Sequence, residues 1–379
     1  MSGGSEEAQM SATMRVKYMD LPRQFVDGAI VARVVDEFKR CQFVLGPQVA
    51  QFEGRFARAC GAAHAVGLNS GTDALFFALK ALGVGAGDEV ITVPNSFVAT
   101  SGAIVMTGAT PVFVDVDAEY LMDPTKLADA ITSRTRAIIP VHLTGNPADL
   151  DAIGAIAARR GLPIIEDAAQ AVGAAVGSRL VGSIGAAAAF SLFPLKNLGV
   201  AGDGGMLTTG SRDLFDKVML YRHHGLRTRD EVEVWGYNSR LDTIQAIVAD
   251  AVLDGLPSVT AARIRNAAFY DRALAPLAPH IIVPPRRAGV RQVFHTYVVQ
   301  AGRRDQLREF LESRGVETKI HYPIPIHLQK AAEGLGYKRG AFPVCEAQSE
   351  RIVSLPVHEY LTPAEQQYVV DRIREFYRL

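Results

Sequence analysis

The chain has 379 residues, enough for one large core and a second, smaller domain, and its 48% hydrophobic and 21% charged residues make an ordinary globular composition. Forty basic and forty acidic side chains cancel, which argues against a nucleic-acid partner but leaves room for a locally positive site that takes small anions. Cys41, Cys60 and Cys345 are widely spaced; they form neither a zinc pattern nor a disulfide framework, so no metal site is expected and a reducing compartment is.

The start, MSGGSEEAQMSA, is small, polar and acidic, without the basic and apolar regions of a signal peptide. Residues 1–14 are therefore read as a flexible tail. No apolar run reads as long enough to span a bilayer, and the expected location is the cytoplasm. A helix over 27–40 comes first. From about 65 to 209 strands and helices alternate, with strands expected at 89–93, 111–116, 137–141, 163–166, 188–192 and 205–209. Several are near-continuous apolar runs, as in a parallel sheet covered on both faces. Helices are expected at 72–82, 124–131 and 149–159. This alternation predicts an α/β fold built on a large, wound, mainly parallel sheet. Residues 241–256 read as a long apolar helix ended near Pro257, which divides a large domain, 15–257, from a smaller C-terminal α/β domain, 258–379. In the second domain strands are expected at 294–299 and 352–355, while 283–290 and 322–327 carry prolines and read as extended or loop.

Chemistry starts from lysine, because only nine of the forty basic residues are Lys. Lys196 lies in the apolar run Phe190-Ser-Leu-Phe-Pro-Leu-Lys-Asn-Leu-Gly, just after a buried strand. A desolvated lysine has a lowered pKa and can attack a carbonyl; alone, such a lysine is more simply read as snorkelling from a loop. Three other segments change the balance. The strand that ends in Glu166-Asp167 puts carboxylates at its carboxyl end, where open α/β sheets bind ligands. Asp167 either caps the next helix or meets a cation, for which a protonated ring nitrogen is suited. Asn69-Ser-Gly-Thr stands at a strand-to-helix junction, as an ordinary cap or as a phosphate site at a helix N-terminus. Pro94-Asn-Ser-Phe offers Phe97, either a core ring or a face for an aromatic ligand.

In this order these segments resemble the DegT/DnrJ/EryC1/StrS sugar aminotransferases, of the fold-type-I pyridoxal-phosphate enzymes. The resemblance runs from Gly46-Pro-Gln-Val through Gly202-Asp-Gly-Gly and Gly236-Tyr-Asn-Ser-Arg to His321-Tyr-Pro-Ile-Pro-Ile-His. It implies pyridoxal phosphate carried on Lys196, Asp167 on the ring nitrogen, Gln170 on the phenolic oxygen and Phe97 stacked on the ring. It gives the phosphate to Gly71, Thr72 and Ser191, and brings Asn238 from the other subunit, so that a homodimer shares its sites. Relatives with histidine in place of the lysine are sugar dehydratases; Lys196 argues against that branch. The family often has Ser or Thr close before the lysine, where this chain has Leu195.

The resemblance further implies transfer of an amino group, from glutamate by family habit, to a nucleotide-linked keto sugar. A keto cyclitol is the alternative acceptor; a dehydratase or a non-catalytic sensor fits less well. Arg240, Tyr322 and His327 are the expected substrate contacts, the alternatives being a dimer salt bridge for Arg240, a turn residue for Tyr322 and a helix cap for His327. Arg222, Arg227, Arg229 and Arg240, clustered around His223-His224-Gly225, read either as a solvated, mobile basic loop or as charge offered to a diphosphate.

Overall fold

A computed structural model describes residues 14–25 and 28–379. Thirteen residues of the expected tail, and Asp27 at the head of the first expected helix, lie outside the described residues. The central sheet is assembled from β1 (His64–Leu68), β2 (Glu89–Thr92), β3 (Thr110–Phe113), β4 (Thr135–Ile138) and β5 (Ile165–Asp167). A small hairpin, β6 (Ala175–Val176) and β7 (Arg179–Leu180), leads to β8 (Ala187–Ser191) and β9 (Gly205–Thr209). The strands hydrogen-bond as β1-β9-β8-β5 and β3-β2-β4. Parallel bridges Ile138–Ile164 and Val141–Asp167 join the two sets into one sheet. Only β9 runs against its neighbours, so the sheet is mainly parallel, as expected from sequence.

Side chains alternate across this sheet. Ala65, Ala188, Phe190 and Met206 enter one core, beside the helices Pro47–Ala59 and Thr243–Leu274. Val66, Leu68, Ala187, Ala189 and Leu207 enter the other, under the helix Gly71–Ala81. Period-two burial on both faces is what a sheet sandwiched between helices requires.

The helix expected to stop at Pro257 continues to Leu274. Proline removes one intrahelical bond, but buried Leu253 and Leu256 before it and Thr260 and Ala262 after it keep the helix packed on both sides. The helix thus passes through the position at which the sequence places the domain boundary. By length and composition the segment Thr243–Leu277 is apolar enough to cross a bilayer, contrary to the reading from sequence. Here it is a core element: its Asp250 is buried and holds Arg33 and Arg55. Beyond it, β10 (Ile281–Ile282), β12 (Tyr297–Ala301) and β13 (Ile352–Leu355) form an antiparallel sheet over a separate core that includes Tyr270, Leu307 and Val370. β11 (Val290–Arg291) reaches back to pair with β6. The strand expected from 294 starts at Tyr297, because Phe294 is left-handed and the carbonyls of Phe294 and His295 turn aside to accept from Arg263.

Candidate active site

The carboxyl ends of β5 and β8 and the start of helix Gly71–Ala81 surround one cavity of about 440 Å³, within the range of small-molecule sites. Lys196, Asp167, Gln170, Gly71, Thr72, Ser191, Phe97 and Tyr322 all line it. Residues separated by up to 251 positions in sequence therefore meet at one place.

Lys196 follows β8 in a turn closed by its own N–H to Phe193 O at 2.8 Å. Burial pushes its amine down to about 8, while Asp167 pulls it the other way. An amine of this kind is a nucleophile and a proton carrier near neutral pH. Asp167, only 5% exposed, ends β5. Its Oδ2 accepts from Thr100 Oγ1 at 2.7 Å and its Oδ1 from Ala169 N at 3.2 Å. Burial nevertheless raises its pKa, with those two bonds and Lys196 opposing. A buried carboxylate so raised gains most from a cation in the cavity. Its neighbour Glu166 points to the other face and is structural. His142 Nδ1 accepts from Ala148 N, so Nε2 carries the proton and donates to Glu166 Oε2 at 3.2 Å.

Ser70 caps the helix, its hydroxyl accepting from Asp73 N at 3.1 Å. The cap and the anion site are compatible, since the N–H groups of the first turn still face the cavity end of the helix dipole. The approach there is close: a Cβ on Gly71 would lie 3.1 Å from Ser191 Cα, and one on Gly205 2.1 Å from the Ser70 carbonyl carbon.

Gln170 is oriented by its neighbours. Its Oε1 accepts from Thr144 N at 2.7 Å, so its amide nitrogen is left facing Tyr322, whose hydroxyl lies 3.5 Å away. That nitrogen is a fixed donor, as an anionic ring oxygen needs. Phe97 is 55% exposed and its ring lies 5.7 Å from that of Tyr322, so an aromatic face borders the cavity. Burial raises the Tyr322 phenol, which stays protonated.

Three participants were missed from sequence: Thr100, which bonds Asp167, and two histidines in the cavity wall. Burial, followed by Lys196, holds the His295 imidazole far below its usual range and pushes His321 down to about 4, so both rings are neutral. His321 Nδ1 lies 2.8 Å from Ser354 Oγ.

Other expected contacts are placed elsewhere. His327 is buried away from the cavity, with Nε2 2.9 Å from Glu346 Oε1 and its ring edge-on to Phe342. It is a packing residue, which removes it from the substrate contacts. Arg222 is also lost to a diphosphate: it is buried, ion-paired with Glu53 and bonded to Gly67 O. Arg227 pairs with Glu233. Asn238 and Arg229 are exposed, and Arg240 is half-buried against His223, all outside the walls of the cavity of their own chain.

A lowered lysine, a buried carboxylate in want of a cation, an oriented amide donor and a capped helix end around one cavity fit pyridoxal phosphate group by group, and define the class as a pyridoxal-phosphate enzyme. The chain belongs to the DegT/DnrJ/EryC1/StrS aminotransferase family, which matches residues 26–374. It is 44% identical over 369 residues to a protein of Geobacillus stearothermophilus named "Pleiotropic regulatory protein", covering 96% of this chain and 99% of that one. It is 42% identical over 370 residues to the dTDP-3-amino-3,4,6-trideoxy-alpha-D-glucose transaminase of Streptomyces venezuelae, covering 96% and 97%. The crystal structure of S. venezuelae DesV superposes with a TM-score of 0.93 at 41% identity, covering 97% of this chain and all of that one. A Streptococcus pneumoniae structure described as "Putative sugar aminotransferase Spr1654 from Streptococcus pneumoniae, PLP-form" superposes with a TM-score of 0.87 at 27% identity, covering 92% of this chain and 96% of that one. The protein is a pyridoxal-phosphate-dependent sugar aminotransferase.

Proposed function

We propose that the enzyme transfers an amino group from glutamate to a keto sugar linked to a nucleotide, working in the cytoplasm, where such activated sugars are made, as a homodimer with shared sites. The observation that carries the catalytic part is Lys196 held at about 8 beside Asp167. The nucleotide-linked acceptor is supported by the S. venezuelae relative, whose name specifies a dTDP sugar. The dimer is supported by Asn238, exposed on an arm that also displays Trp235, 91% exposed, and Val232. Large apolar side chains grouped on a surface mark an interface.

The bound cofactor supplies a carbonyl that takes up the amino group and a ring that accepts an electron pair. Asp167 holds the charge at the ring nitrogen, and Gln170 donates to the oxygen on the ring. Gly71, Thr72 and Ser191 hold the phosphate, with Asn238 of a second copy. Lys196 Nζ would take the α-proton of the amino donor and return a proton across the nitrogen, at the carbon that had been the cofactor's carbonyl, and would work in reverse on the acceptor. A single cavity serves both substrates in turn, which gives ping-pong kinetics.

The test follows 2-oxoglutarate release from glutamate with three acceptors: a dTDP- or UDP-linked keto hexose, the free keto hexose, and a keto cyclitol. Charged hydrogen bonds to a diphosphate contribute roughly 1.5–3 kcal/mol each, so the linked sugar should be favoured by about a hundredfold or more in kcat/KM. Equal or better turnover of the cyclitol would replace this acceptor with that one. Absence of turnover with every acceptor and amino donor would favour the sensor reading suggested by the name of the Geobacillus relative.

A further inference from the structure

The segment between the helices Arg212–Tyr221 and Thr243–Leu274 is organised by a short ladder. Tyr237 N donates to Tyr221 O, His224 N to Tyr237 O and Ser239 N to Arg222 O, and His223 and Asn238 are antiparallel bridge partners. Asn238 and Arg240, two positions apart on the same extended run, are thus tied to His223 in one unit.

Within this unit the arginines are used differently. Arg222 and Arg227 are neutralised by Glu53 and Glu233. Arg240 has no carboxylate partner among the described residues; its Nη1 lies 3.0 Å from His223 Nδ1. A guanidinium only donates, so Nδ1 is the acceptor, the ring proton sits on Nε2 and the imidazole is neutral. Burial, then Arg240, His224 and Arg222, keep His223 below the usual histidine range, in agreement with that assignment. The choice of acceptor has an electrostatic consequence. A carboxylate at this place would orient the guanidinium and cancel its charge, whereas a neutral imidazole orients it and leaves the charge whole.

We propose that His223 is a positioning residue that presents a fully charged Arg240 to the diphosphate of the acceptor, on the same arm that carries Asn238. This rests on the reading that the acceptor is nucleotide-linked and that the arm reaches it.

The experiment uses the full-length, cofactor-loaded protein, with thymidine diphosphate and uridine diphosphate as calorimetric probes beside steady-state kinetics. His223→Leu should weaken diphosphate binding and raise KM for the linked sugar about ten- to a hundredfold, with kcat and the glutamate half-reaction unchanged. His223→Asn, whose side-chain oxygen can take the place of Nδ1, should recover most of the affinity. His223→Asp also supplies an acceptor but cancels the charge, so it should bind as weakly as the Leu variant; a merely structural role predicts that it would be rescued. Cofactor absorbance and thermal midpoint show that each variant is folded. If Arg240→Ala leaves diphosphate affinity intact, the assignment of the arm to the acceptor fails. If Arg240→Ala weakens binding but His223→Leu does not, or His223→Asp binds as well as His223→Asn, the positioning role alone is overturned.

Discussion

Stripped of cofactor, the protein should contain one lysine that titrates near 8, against the ordinary 10.5. At pH 7.5 about a quarter of Lys196 would then be neutral amine, compared with roughly 0.1% of an exposed lysine, an advantage of about two hundredfold in the reactive form. Only the neutral amine attacks a carbonyl. The rate at which apoprotein captures pyridoxal phosphate, followed by stopped-flow absorbance across about pH 6 to 10, should therefore rise with pH and level off, with a midpoint near 8. The two opposing causes can be separated. Burial lowers the pKa and Asp167 raises it, so Asp167→Asn should move the midpoint further down. Asparagine accepts from Ala169 N through Oδ1 and can donate through Nδ2 to Thr100 Oγ1, whose hydroxyl turns to Ser96, so the wall of the cavity is kept. A midpoint at or above 10 in the wild type, or an upward shift in Asp167→Asn, would refute the reasoning.

In the loaded enzyme, Asp167→Asn should lower kcat by about 10²–10⁴, since leaving one partner of a buried charge pair alone costs about 3–5 kcal/mol; single-turnover absorbance with glutamate measures it. Gly205→Ala should destabilise the fold by roughly 1–3 kcal/mol and weaken cofactor binding. Its Cβ would press on the Ser70 carbonyl at 2.1 Å, and backbone there cannot yield without shifting the helix start; thermal unfolding with and without cofactor reads both effects. Mixing Asn238→Ala with Lys196→Ala subunits should restore activity, because each hybrid dimer holds one site with both residues intact. Continued inactivity after confirmed subunit exchange would show that Asn238 serves its own chain.

Lys196 and Asp167 were legible because each is a charge set in an apolar run at the end of a strand, a conflict that sequence displays directly. The strands Gly205–Thr209 and Ile352–Leu355 were legible to the residue, as short apolar runs buried at every position. Thr100 was not, because its importance comes from a contact across 67 positions that no local pattern encodes. His295 was hidden inside a segment read as an apolar strand, which begins two residues later. Arg222 misled in the opposite way. It was read as an anion contact from its arginine-rich neighbourhood, but Glu53, 169 positions earlier, neutralises it. The helix Pro47–Ala59 was not singled out from sequence, and β1 was expected only as the strand leading to the junction at Asn69, although both help form the central sheet and its core. Local chemistry identifies a reactive group; which charges are already spent is decided by tertiary contacts.

That distinction bears on whether such a chain senses or catalyses, a question raised by the regulatory name of the Geobacillus relative. A sensor needs to hold a cofactor or a sugar, and for that a fully charged lysine or arginine at the cavity wall is the stronger choice. Here the amine at position 196 is desolvated until it is partly neutral, and Asp167 is buried until its pKa rises. Both perturbations weaken simple ion binding and oppose folding. Both suit proton transfer: a base whose pKa lies near the working pH, and a carboxylate whose buried charge is best stabilised when a ring nitrogen stands against it. Arg240, by contrast, keeps its charge whole outside the cavity of its own chain, held by a neutral histidine. With Arg240 in the role proposed for it, groups tuned for reaction and a group left free for binding are separated in space, an arrangement that an enzyme with a remote handle on its substrate uses and a sensor does not need.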